Sequence, residues 1–151
     1  ITVHHTGSDV IWGSSAADTA EEIRRIQSYH QNRQGWADIG YHYMIDRAGN
    51  IWQGRPMRYQ GAHARGSANL GNVGIAVMGN YCHQSLTPSQ YRSLESLILK
   101  LCGHFGISPS QVYTHREINH GSTDCPGPAV TTAVREIRQD VRRRLLSYRA
   151  N

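Results

Sequence analysis

The sequence predicts an α/β fold in a single domain, a central mixed β-sheet with helices packed on its faces. Three observations lead there. The chain of 151 residues fits one domain around one core. Val73-Gly74-Ile75-Ala76-Val77-Met78 is an apolar run of strand length, suited to a central strand covered on both faces. Short strand-like segments alternate with longer stretches whose apolar residues recur every three or four positions, the helical period.

Taken in order, Ile1 to Thr6 reads as a first strand ending at His4-His5-Thr6-Gly7. Asp18, with Glu21 three residues on, resembles a capping box and starts a helix that runs to about Arg33 and stops at Gly35. Ile23, Ile26 and Tyr29 or His30 mark its inner face. Gly40 to Asp46 and Ile51 to Gln53 form a hairpin around Arg47-Ala48-Gly49-Asn50. Residues 54–72, rich in Gly, Arg, Asn and Ala, read as a long loop, and loops of that length in a compact domain are usually functional. Thr87-Pro88-Ser89-Gln90 is a strong helix start, with Thr at the cap, Pro at the first helical position and Gln at the third. The stripe Tyr91, Leu94, Ile98, Leu101, Phe105 follows, and Gly106 ends it. Gln111 to Thr114 is a short strand leading to His115. A last helix carries Val130, Val134, Ile137, Val141 and Leu145 on one stripe.

The net charge of +5 is concentrated at one end. Residues 129–151 hold six arginines against Glu136 and Asp140, whereas residues 1–128 are nearly balanced. Such a basic face either attracts polyanions or is simply solvated. No stretch reaches the roughly 18 apolar residues of a membrane-spanning helix. No basic-then-apolar leader is found, and because the chain opens on Ile1 rather than Met this says little about export. Three cysteines, an odd number, argue against a disulfide framework, although a Cys82–Cys102 bridge stays open. Cys102 falls on the apolar face of its helix. Nine histidines in so short a chain raise the expectation of a metal site.

His4 or His5 at the end of the first strand, His115 at the end of a later one and Cys125 ten residues further form a candidate zinc set. In open sheets flanked by helices, sites form beyond the carboxyl ends of strands. Two imidazoles and a thiolate leave the fourth position of tetrahedral Zn²⁺ open, the pattern of a catalytic site. His4 and His5 cannot both serve, since side chains alternate across a strand, and spacing does not choose between them.

Val3-His4-His5-Thr6, Gly40-Tyr41-His42-Tyr43, Gly61-Ala62-His63, Val73-Gly74-Ile75 and His115-Arg116-Glu117 through Thr123-Asp124-Cys125-Pro126-Gly127 occur in that order. Over nearly its whole length the chain thereby resembles the family that joins peptidoglycan recognition proteins to phage and bacterial type 2 N-acetylmuramoyl-L-alanine amidases. The resemblance implies that residues 1–151 form one zinc-dependent amidase domain, with His4, His115 and Cys125 as ligands of one zinc ion. It implies Tyr41 and Thr123 as catalytic groups near the scissile amide, where some phage members carry a lysine in place of Thr123. It points to His30, Gly35, Trp36, His63 and Asn69 as contacts of the stem peptide, with Gly35-Trp36 in the position associated with diaminopimelate preference. The alternative for His30, His63 and Asn69 is a polar side chain turned to solvent, and for Gly35 and Trp36 a helix stop and core packing. Arg33 and Arg65 are further cations for such a peptide. Glu117 and Asp124 are either carboxylates orienting a histidine or plain surface charge. Ala37 stands where many animal members have a disulfide cysteine, which points to a bacterial or phage protein.

Members that bind without cutting typically lack the metal-binding cysteine, so Cys125 favours the enzyme over a recognition module. A cytoplasmic recycling amidase would commonly carry an aspartate there. A nucleic-acid-binding role for the last helix lacks any supporting motif. The expected partners are therefore peptidoglycan, its stem peptide and, through the arginine-rich helix, anionic wall polymers. A monomer acting at a cell wall or in the periplasm, or as a phage endolysin, is the expectation.

Overall fold

The computed structural model describes residues 1–8 and 15–149, with side chains through 147. It contains β1 (Thr2–His5), α1 (Ala16–Asn32), β2 (Tyr43–Ile45), β3 (Ile51–Gln53), β4 (Gly74–Val77), α2 (Pro88–Phe105), β5 (Tyr113–Thr114), α3 (His115–Ile118) and α4 (Pro128–Arg149). Short 3₁₀ turns occupy Gly66–Asn69 and Pro109–Gln111. The sheet order is β3-β2-β4-β1-β5, with β1 parallel to β4 and β5, β2 parallel to β4, and β3 antiparallel to β2. The mixed sheet with flanking helices is the predicted class, and the apolar run around β4 is its middle strand, buried at all four positions.

Register assigns the two faces. Val3 pairs with Ile75 and His5 with Val77, and Val3, Ile75 and Val77 join the main core with Leu94 and Ile98 of α2 and Val130, Val134 and Ile137 of α4. Burying one such aliphatic side chain is worth about 1.5–3 kcal/mol. His4 pairs with Ala76, and Ala76 with Met44, on the opposite face, where Ile23 and Ile26 of α1 pack with Met44 and Met78. His4 is thereby placed on the α1 side, fully buried, at the carboxyl end of β1.

Local signals explain most boundaries. Thr87 and Gln90 close a reciprocal capping box at α2, and Gly106 caps its end with φ 66°, in the left-handed conformation glycine tolerates. The expected cap of α1 at Asp18 is wrong by one turn. Ser15 is the cap and accepts from Asp18 N, so Asp18 is the third helical residue rather than the cap. The hairpin turn is organised by buried Asp46, which accepts from Ala48 N, Asn50 N and Nδ2, and Trp52 Nε1 at 2.8–3.0 Å. Cys82 and Cys102 are free, one exposed and the other buried, so the bridge that spacing left open is absent. Phe105, placed on the apolar stripe, is half exposed at the last turn of α2. None of the described helices is long and apolar enough to cross a membrane.

Candidate metal centre

Three segments converge at the carboxyl edge of the sheet. β1 delivers His4. β5 runs straight into α3, whose first residue is His115, and Thr114 and Glu117 cap that turn reciprocally. Cys125 comes from the loop before α4. Gly127 makes that loop possible, because a Cβ there would lie 2.3 Å from the Tyr81 carbonyl carbon. The loop is therefore pressed against the backbone following β4. The ligating atoms of His4, His115 and Cys125 all lie within 4.8 Å of one another, and no other such group of three occurs among the described residues. Cys125 Sγ is 3.8 Å from His4 Nδ1 and accepts from His5 N at 3.4 Å. The His4 and His115 rings are 4.4 Å apart.

The chemistry of this donor set fits zinc. His115 Nδ1 is buried with no hydrogen-bond partner, an uncommon state for a buried ring nitrogen. Burial, reinforced by the neighbouring imidazoles of His63, His115 and His5, holds His4 well below the usual histidine range, so it is neutral and able to ligate. Burial also lowers His115, with a further push from the Arg65 guanidinium. Burial pushes the Cys125 thiol up to about 12, so without a cation it stays protonated, and a bound divalent ion would reverse that.

The outer nitrogens of both imidazoles are engaged. His4 Nε2 lies 3.1 Å from His63 Nδ1, and His63 Nε2 lies 3.2 Å from the Asn72 carbonyl. His115 Nε2 lies 2.7 Å from the Asn119 side-chain amide. His5 points elsewhere, its Nδ1 accepting from Tyr81 N at 3.2 Å. Burial, then the charge of His115, pulls His5 down to about 4. Glu117 pairs with Arg138 and Asp124 with Arg116, so neither carboxylate orients a ligand histidine.

A cavity of about 460 Å³ opens beside His4 and His115. Its walls include His30, Trp36, Tyr41, His63, Arg65 and Asn69. The Tyr41 ring packs against that of His4, centroids 5.2 Å apart and planes tilted by 51°, and burial raises its hydroxyl pKa, so that it remains a proton donor at neutral pH. His30, held by Gly40 N at 3.1 Å, packs on Trp36 at 4.7 Å. Asn69 lies at the cavity, but its Oδ1 already accepts from His63 N and Ala64 N. Thr123 lies outside the wall, its hydroxyl accepting from Cys125 N at 3.2 Å. Gly35 also lies outside it, exposed with φ 69°. Arg65 is the one charged residue on the wall, and its guanidinium has no hydrogen-bond or ion-pair partner among the described residues. Spacing gave no hint of Asn72 or Asn119, whose roles depend on contacts that exist only in the folded chain.

Residues 1–128 match the family described as N-acetylmuramoyl-L-alanine amidase. The chain is 34% identical over 134 residues to peptidoglycan-recognition protein SC2 of Drosophila simulans, covering 88% of this chain and 70% of that one. The solved N-acetylmuramoyl-L-alanine amidase LysC from Clostridium intestinale is 30% identical with a TM-score of 0.77, over 93% of this chain and 83% of the other. Peptidoglycan recognition protein-LE, solved in complex with tracheal cytotoxin, a monomeric diaminopimelic acid-type peptidoglycan, is 27% identical with a TM-score of 0.75, over 84% and 72%. A fold, a sequence match and a donor cluster that agree over most of the chain lead to one assignment: this protein belongs to the N-acetylmuramoyl-L-alanine amidase family that also includes the peptidoglycan recognition proteins.

Proposed function

We propose that the chain is a zinc-dependent amidase that hydrolyses the bond between the lactyl group of N-acetylmuramic acid and the L-alanine of the stem peptide. The observation that carries this reading is the His4–His115–Cys125 donor set with an unpartnered His115 Nδ1, opening onto a cleft. A four-ligand structural site would be closed, whereas three ligands beside a cavity leave a working position. When bound, zinc supplies Lewis acidity, making water nucleophilic near neutral pH and polarising the scissile carbonyl.

The chain's own groups do the rest. Tyr41, a permanent donor beside His4, hydrogen-bonds the developing oxyanion. Thr123 fixes the Cys125 backbone while its own O–H remains able to donate. Trp36 and His30, packed ring on ring, form part of the wall for the stem peptide, which Asn69 and His63 also line. Arg65, the single cation on an otherwise uncharged wall, attracts the stem's carboxylates and favours a third residue of the diaminopimelate type. Gly35 acts only indirectly in this reading, by turning the chain so that Trp36 faces the cleft. The arginines of α4 add a non-specific attraction to anionic wall polymers, and the protein works as a monomer at the wall.

Relatives named as recognition proteins favour a second reading, a module that binds peptidoglycan without cutting it. Digestion of purified peptidoglycan followed by mass analysis separates the two. The enzyme releases stem peptides with a free L-alanine amino group and leaves glycan strands whose muramic acid residues carry free lactyl carboxylates. A binding module retains the peptide on the glycan, and that result would overturn the proposal.

A further inference from the structure

We infer that His63 is a positioning residue of the metal site: through a relay ending on the Asn72 carbonyl it fixes which nitrogen of His4 faces the metal. The inference rests on the zinc reading above. Its logic is a proton count. The Asn72 carbonyl only accepts, so His63 Nε2, 3.2 Å away, must carry a hydrogen. The two buried imidazoles meet nitrogen to nitrogen, so one must donate and the other accept, and a neutral His63 whose proton sits on Nε2 offers only a bare Nδ1. His4 Nε2, 3.1 Å from that acceptor, must then donate. With its one proton on Nε2, His4 is left with a bare Nδ1, the nitrogen that lies 3.8 Å from Cys125 Sγ. Each ring has one tautomer consistent with its neighbours, and that tautomer is the one zinc requires.

The surroundings are shaped to hold this ring. Two glycines make the slot: a Cβ at Gly74 would lie 2.4 Å from His63 Cδ2, and one at Gly61 would lie 2.6 Å from the same atom. Asn69 Oδ1 accepts from His63 N and Ala64 N at 2.9 and 2.8 Å, which fixes the backbone carrying the ring. Asn72 is tied by its Nδ2 to Ala68 O and Thr2 Oγ1, both at 2.8 Å, so the terminal carbonyl is anchored to β1 itself. Both nitrogens of His63 are therefore in use. A substrate hydrogen bond to either would break the relay, so His63 meets a ligand through its ring edge alone.

The experiment has two parts, neither of which reads turnover of the zinc-loaded protein alone. In metal-free wild type at neutral pH, ¹⁵N ring shifts should report His4 with Nε2 protonated and Nδ1 bare. A protonated Nδ1 would overturn the relay without any variant. Zinc affinity is then measured by chelator competition. Loss of such an outer partner typically weakens metal binding about 10–100-fold, and His63→Leu should fall in that range. His63→Gln keeps one acceptor and one donor and should recover part of the loss, which a purely steric role would not produce. Wild-type zinc affinity in His63→Leu, with only KM for a muropeptide raised, would overturn the relay and leave the zinc reading intact. Failure of wild type itself to bind zinc would overturn both.

Discussion

Gly74→Ala tests the architecture under the metal site with the smallest possible change. Gly74 lies in the central strand with an ordinary strand backbone, so alanine costs nothing conformationally. The added methyl would lie 2.4 Å from His63 Cδ2 and 2.7 Å from its Cγ and Nε2, well inside van der Waals contact. Strand and ring cannot both keep their places, and the ring is the part able to move. Overpacking a filled interior costs about 1–3 kcal/mol, and each buried hydrogen bond broken by displacing His63 adds about 1 kcal/mol. A loss of about 3 kcal/mol corresponds to a Tm fall of roughly 6–12 °C in a domain of this size. Thermal unfolding of the metal-free protein, followed by circular dichroism, measures it. The mechanism predicts a specific partner. In a His63→Ala background the space is vacant, so adding Gly74→Ala should cost under about 1 kcal/mol. Additivity of the two changes to within about 0.5 kcal/mol would refute the reasoning, because it would mean that residues in contact do not share the site.

Other consequences are as direct. Tyr41→Phe should keep zinc and fold but lose about 10²–10³ in turnover, the usual effect of removing one oxyanion donor, and an unchanged rate would deny Tyr41 that role. In chelator-treated protein, stability should fall as pH drops from about 6.5 towards 4. His5 and His63 stay neutral in the fold down to about 4, whereas the unfolded chain takes up protons near 6.5, so acid favours unfolding. A Tm that is flat over that window would contradict the burial argument. Replacing Arg142, Arg143 and Arg144 with Gln should weaken binding to whole walls and reduce its salt dependence while sparing a small muropeptide. Equal effects on both would indicate that the face is merely solvated.

Local chemistry was legible in the sequence and long-range contact was not. The Thr87–Gln90 box and the Gly106 stop depend on neighbours within one turn, and both hold in the structure. The start of α1 misled because Ser15-Asp18 and Asp18-Glu21 offer overlapping three-residue spacings, and only backbone geometry identifies Ser15 as the cap. Alternation showed that His4 and His5 diverge, spacing alone did not choose between them, and the resemblance pointed to His4; the pairing register supplies the physical reason, placing His4 on the α1 face beside Ala76. Gly74 reads as a weak point in a good strand until the ring of His63 is seen against it. The His4–His63 contact spans 59 positions of sequence, and no periodicity encodes it. Cys82 and Cys102 resemble a pair only by count, since one is exposed and the other is buried on the inner face of α2.

The measurement closest to the central claim is a zinc titration of metal-free protein against peptidoglycan, scored by the appearance of free L-alanine amino groups. The account predicts negligible release without metal, a rise that levels off at about one zinc per chain, as expected of a single site with three protein ligands, and no recovery in Cys125→Ala at the same zinc concentration. Release that persists after metal removal, or that Cys125→Ala supports at the parent rate, would contradict it.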